Sequence, residues 1–86
     1  MATVAEVLAA ADDSVTLING INGGSIIRSD LTQDEINSMI QQNVDHLEII
    51  LAYNGENDTP DVAGSSEDKS SYNNAITTGK AYIAAN

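Results

Sequence analysis

Eighty-six residues without a cysteine, carrying thirteen acidic side chains against three basic ones, give a formal charge of -10 and a pI near 4.1. No disulfide and no thiolate zinc site can form, and phosphate backbones and anionic lipid surfaces would be repelled. A chain this short forms one domain that buries only about 60 to 70% of the surface of its unfolded form, so partner chains would add useful stability.

The opening stretch MATVAEVLAAADD has no basic n-region and meets two aspartates early. Neither a signal peptide nor an anchor is expected there, and no apolar run approaches the roughly 20 residues of a membrane helix. Thr3 stands three residues before Glu6, the spacing of a capping box, and opens a first helix over 3 to 20. At about 100° per residue, Val4, Val7, Leu8, Ala11, Val15 and Ile18 fall on one stripe. Asn19-Gly20 and Asn22-Gly23-Gly24 supply residues that tolerate left-handed backbone and end the helix. Ser25-Ile26-Ile27-Arg28 is too short for another helix and is expected to fold back as a lid over the core. Arg28 is expected to pair with Asp30 or a carboxylate of the second helix.

Thr32 and Glu35 form the second capping box, and Leu31 with Ile36 forms a hydrophobic staple around it. The helix that follows is predicted over 33 to 54. Ile36, Met39, Ile40, Val44, Leu47, Ile50, Leu51 and Tyr53 spread over about 180°, nearly twice the stripe of a surface helix. That width makes it the central member, one flank on the first helix and the other on the third. Ile49 falls outside the arc, among Gln42, Asp45 and Glu48, and reads as either a tolerated exposed residue or a contact with another subunit. Asn54-Gly55 stops the helix and Pro60 prevents its resumption. The stretch GENDTPDVAGSSEDKSS, poor in apolar residues, is expected to be a mobile loop. Ser65-Ser66-Glu67-Asp68 resembles a third capping box and opens a helix over 66 to 84. Its stripe is Tyr72, Ala75, Ile76, Gly79, Tyr82 and Ile83, and the small Ala75 and Gly79 let a neighbour approach closely. The predicted architecture is an all-α, three-helix up-down bundle formed by residues 1–86 as a single acidic domain.

Chemistry-bearing groups are few. His46 is the only histidine, lies by angle at the edge of the apolar arc, and is expected to be half-buried and hydrogen-bonded to Asn43, Tyr53 or another helix. No G-x-S-x-G elbow accompanies it. Asn54, Glu56 and Asp58 alternate as in the first half of a calcium loop, with Asp61 as a further oxygen donor. Thr59 and Ser65, however, occupy the places an EF-hand gives to Gly and Glu, so a solvated turn is the reading. INGINGGSIIR is rich in glycine but lacks the order and the lysine of a phosphate loop. No catalytic residue, cofactor or metal is assigned.

The strings NVDHLEIILA and AITTGKAYIAAN resemble small uncharacterised proteins of marine tailed phages of the cyanophage type. The resemblance covers about half the chain and implies a virus-encoded accessory or virion protein, located in the host cytoplasm or the particle. The expected function is a non-enzymatic structural or protein-interaction module. It would be homo-oligomeric, because the wide face of the second helix has little large apolar surface to meet in a chain without Phe or Trp. Interaction residues are expected at His46, Ile49, Ile50 and Tyr53. The alternative is an acidic mimic of DNA that occupies a basic host protein. Nucleic acid and membrane are not expected partners.

Overall fold

Three helices organise residues 2–86, which a computed structural model describes: α1 (Val4–Gly23), α2 (Gln33–Leu51) and α3 (Ser70–Ala85), with no strand among the described residues. The first two begin where their sequences provide caps. Thr3 Oγ1 accepts from the Glu6 amide at 3.1 Å while Glu6 Oε1 accepts from the Thr3 amide at 3.0 Å. Thr32 and Glu35 repeat the exchange at 3.2 and 2.9 Å. Each box satisfies amides that a helix start leaves without partners.

The third start differs from the predicted one by four residues. Ser65 is committed to the loop, its hydroxyl donating to the Val62 carbonyl at 2.7 Å. Asp68 acts instead, accepting from the Ser70 amide at 2.9 Å and from the Ser70 hydroxyl at 2.7 Å. The glycine-rich stop of α1 is also read differently by the fold. The helix passes through Gly20 and ends at Gly24, whose φ of 84° is left-handed. Gly20 instead makes room for Ile26, which lies so close that a Cβ there would overlap its side chain, and the Ile26 amide donates to the Gly20 carbonyl at 3.0 Å. Ile26 therefore covers the end of α1 rather than forming a lid over the core, and its neighbour Ile27 is 79% exposed. α2 ends at Leu51, three residues early, because the Tyr53 carbonyl accepts from Ala63 and turns the chain into the loop.

The helices pack pairwise in a triangle, inside an envelope of 38 × 21 × 19 Å. α1 and α3 run parallel, since Tyr72 meets Leu8 and Asp12 near both starts while Gly79 faces Ile18 near both ends. α2 opposes them, joined to α1 by Ser14 to Asn43 and to α3 by Gln33 to Tyr82. The core consists chiefly of Leu8, Ala11, Ile18, Ile40, Val44, Leu47, Ile50, Tyr72 and Ala75 from the three predicted stripes. At its centre, a Cβ on Gly79 would stand 2.5 Å from Val44 Cγ2 and 3.3 Å from Ile40 Cγ2, with Ile18 Cγ2 at 3.5 Å.

One core residue comes from the loop. Val62 is completely buried, and the polar groups around it are satisfied locally. Its amide donates to the Pro60 carbonyl at 3.0 Å, Ala63 donates to Tyr53 at 2.8 Å, and Asp61 Oδ1 accepts from Gly64 at 2.8 Å. The expected mobile loop is thus a pinned one. A tight turn precedes it, with Asn57 and Asp58 at φ of 55° and 60°, a conformation these two residue types tolerate better than most.

Gly79→Ala should destabilise the fold by about 1 to 2 kcal/mol, because overpacking exceeds the roughly 1 kcal/mol that alanine gains in helix propensity. Val62→Ala should cost about 2 kcal/mol through lost burial and a residual cavity. Urea denaturation of the purified variants measures both. A Val62→Ala midpoint equal to wild type would mean that the loop does not anchor the core.

Candidate functional site

The four residues expected to mediate interaction do not share one surface. Ile50 is only 4% exposed and belongs to the core. Tyr53 is half-buried just beyond the end of α2. His46 is exposed rather than half-buried, and Asn43, one of its expected partners, is engaged elsewhere. The Asn43 side chain donates to the Met39 carbonyl and accepts the buried Ser14 hydroxyl, both at 2.8 Å. The physical reason is the position of α1, which lies against the Asn43 flank of α2 and leaves His46 a turn further round. Ile49 is 59% exposed, as its place outside the apolar arc requires.

Tyr53 lies past the last helical residue and packs against the core. What His46 and Ile49 do share is a line: with Met39 and Gln42 they recur at intervals of three and four residues, an arc of about 80° along the outer edge of α2. Near the helix start, this edge carries a shallow depression of about 370 Å³ lined by Leu31, Asp34, Glu35, Ser38, Met39 and Gln42. Leu31 and Met39 are half-buried, and the two carboxylates are exposed. Sequence reasoning missed this depression because it assigned Met39 wholly to the core and Leu31 to the staple. Its signal was present in the spacing of three and four residues that runs through Met39, Gln42, His46 and Ile49.

The cations are placed away from this edge or neutralised. Arg28 is held by Asp30 through bonds of 2.9 and 3.0 Å, and also reaches Met39 Sδ at 3.8 Å. The hydrogen bonds to Arg28 lower the Asp30 pKa and raise that of Arg28. Lys69 binds the Ser65 carbonyl at 2.8 Å, and Lys80 pairs with Glu48 across α2 and α3 at 3.3 Å. The amide bonds at the helix starts, from Thr3 and Ser70 respectively, likewise lower the pKa of Glu6 and Asp68. Both contributions to stability are present above the ordinary carboxylate range and are lost as pH falls through the lowered values.

Among the described residues, no three His, Cys, Asp or Glu side chains converge so as to hold a metal ion, and Asp61 of the calcium-like stretch is occupied by the Gly64 amide. Among the described residues, no helix is long and apolar enough to cross a membrane. Among the described residues, Tyr72 carries a large shift. Tyr72 is buried between α1 and α3, its hydroxyl 2.7 Å from Asp12 Oδ1 and 3.1 Å from the Leu8 carbonyl. Burial, and then the Asp12 carboxylate accepting its proton, push its pKa up to about 12. Comparison with known protein families, curated proteins and solved structures finds no match to the chain.

The neutral phenol is the form the fold prefers, so the stability it confers is complete below pH about 10 and disappears as pH rises toward about 12. Tyr72→Phe should cost about 1 to 2 kcal/mol at neutral pH and flatten that alkaline decline, as followed by urea midpoints across the range. His46→Ala should leave the midpoint within about 0.5 kcal/mol, the range for an exposed side chain outside any network.

Proposed function

We propose that the chain is a non-enzymatic protein-interaction module that presents the outer edge of α2. The observation carrying this reading is Ile49, 59% exposed on a helix whose other large apolar residues are buried or half-buried. An isolated exposed isoleucine is ordinary, but here it continues a line with Met39 and His46 that leads into the Leu31 and Met39 depression. The resemblance to phage proteins suggests the setting, an accessory or assembly role in a virus-infected cell or a virion.

The sequence predicts self-association because the wide face of α2 lacks large apolar surface to meet. Within one chain that face is covered by α1, α3 and Val62, so the core gives no reason to require a second copy. A homo-oligomer is the second reading, supported by Ile49 alone. The DNA-mimic alternative draws support from the charge of -10, but no extended row of carboxylates on one helix distinguishes it.

Ile49→Glu tests the module reading. The variant should keep the wild-type urea midpoint within about 0.5 kcal/mol. It should lose whatever association wild type shows, either above-monomer mass in sedimentation or cross-linked capture of a protein from cell lysate. Association that survives the substitution unchanged would remove the outer edge of α2 from the function.

A further inference from the structure

The outer edge of α2 pairs a modest apolar line with an excess of negative charge. Along α2, Asp34, Glu35 and Asp45 are exposed beside the line of Met39, Gln42, His46 and Ile49. On α1, Glu6 and Asp13 are exposed within about 100° of Ser14, the residue that touches α2, so they flank the same edge. Among the basic side chains, Arg28 is the one near this surface and is neutralised by Asp30, while Lys69 and Lys80 serve the loop and the α2 to α3 contact. A ligand laid along the line would therefore meet apolar contacts in the middle and carboxylates on both sides.

A second copy of this chain is a poor fit, because it would set the same five carboxylates against themselves with no uncommitted lysine or arginine to compensate. Like charges across an interface reduce both its affinity and its rate of formation. An unfolded basic segment would meet the carboxylates but would have to be ordered along the whole edge to reach both apolar positions, Met39 and Ile49, which lie ten residues, about 15 Å, apart along α2. One face of another helix carries side chains at that separation already in place.

We propose that the outer edge of α2 docks a basic amphipathic helix of another protein. An apolar side chain of that helix enters the depression between Leu31 and Met39, a second packs on Ile49, and its lysines or arginines reach Asp34, Glu35 and Asp45. Met39 suits such a pocket because its unbranched thioether adapts to different shapes. The proposal rests on the interaction-module reading and adds the class of partner.

The test uses the full chain, isotopically labelled for NMR, and a synthetic helical peptide with leucines at intervals of three and four residues and lysines between them. A scrambled peptide of the same composition is the control. The amphipathic peptide should shift the resonances of Met39, Gln42, His46 and Ile49 selectively and bind at least about tenfold more tightly than the scrambled one. Ile49→Glu separates docking from attraction by charge. Added negative charge strengthens a purely electrostatic complex, whereas loss of the apolar contact should weaken a docked one by about tenfold. Asp45→Asn should weaken binding by a smaller factor, about two- to fivefold, and reduce its sensitivity to salt.

Equal affinity for both peptides, resonance shifts spread over all three helices, or undiminished binding to Ile49→Glu would each overturn the proposal. An Ile49-dependent dimer that the peptide fails to disturb would overturn it in favour of a second copy, leaving the module reading intact.

Discussion

At Gly79 the absence of a side chain lets α3 come within van der Waals reach of Val44, Ile40 and Ile18 at once, and the rest of the bundle is arranged around that approach. Packing density explains why one hydrogen atom in place of a methyl group matters here. Interiors are filled to the density of organic crystals, so the space a Cβ needs can be found only by separating helices. With α3 drawn in, Tyr72 seven residues earlier is set against α1 and Tyr82 three residues later against the start of α2. Helix 3 has a polar sequence and no side-chain cap from Lys69, and its stability derives from these contacts. The chain has no Phe or Trp, and it compensates for small side chains by bringing backbones closer together.

Electrostatics act in the opposite sense. Thirteen carboxylates on a small surface repel one another, and just two ion pairs occur among the described residues, both largely exposed. Such pairs contribute little, so the charge is carried rather than neutralised. Some of it is used locally: Glu6, Glu35 and Asp68 sit at helix starts, where amides and the positive end of the helix dipole favour a negative group. The others remain on the surface as a long-range field that attracts cationic partners and disfavours a like-charged copy. Burial of the few apolar residues is what holds the compact state against this repulsion.

The fold was legible wherever a local pattern and the final packing agreed. Two capping boxes identified the cap residues Thr3 and Thr32, so the second helix starts where predicted and the first one residue later, and the three apolar stripes identified every apolar core residue except Val62. Small residues at 75 and 79 announced a close approach, although which atoms would meet there depended on the register of three helices. The third start was misplaced because Ser65 had two uses, and its bond to the Val62 carbonyl prevailed over the capping geometry once the loop was pinned. Nothing in DTPDVAGSS marks Val62 as a core residue, since a lone valine among polar neighbours has no periodicity. The candidate site was legible in part. Ile49 was singled out by angle and Ile50 lay within the apolar arc, but the exposure of His46 depended on α1 lying on the Asn43 flank, which no pattern within α2 contains. The depression beside Met39 is formed jointly by the staple and the helix, and local reading treats these as separate features.

The hydroxyl of Ser14, 6% exposed, belongs to the one buried polar residue among those described, and it finds its acceptor on Asn43 across the α1 to α2 seam. In a seam otherwise lined with interchangeable aliphatic groups, sliding one helix along the other by a turn, about 5.4 Å, would exchange one set of apolar contacts for another of similar worth. The same slide would break the bond from the hydroxyl to Asn43, at about 0.5 to 1.5 kcal/mol. Ser14 and Asn43 thus act as a locating pin: they add little to the total stability, yet they distinguish the native alignment from its nearest competitors. In a bundle built from small side chains, where shape alone discriminates weakly, this selectivity keeps the outer edge of α2 in a single, reproducible position.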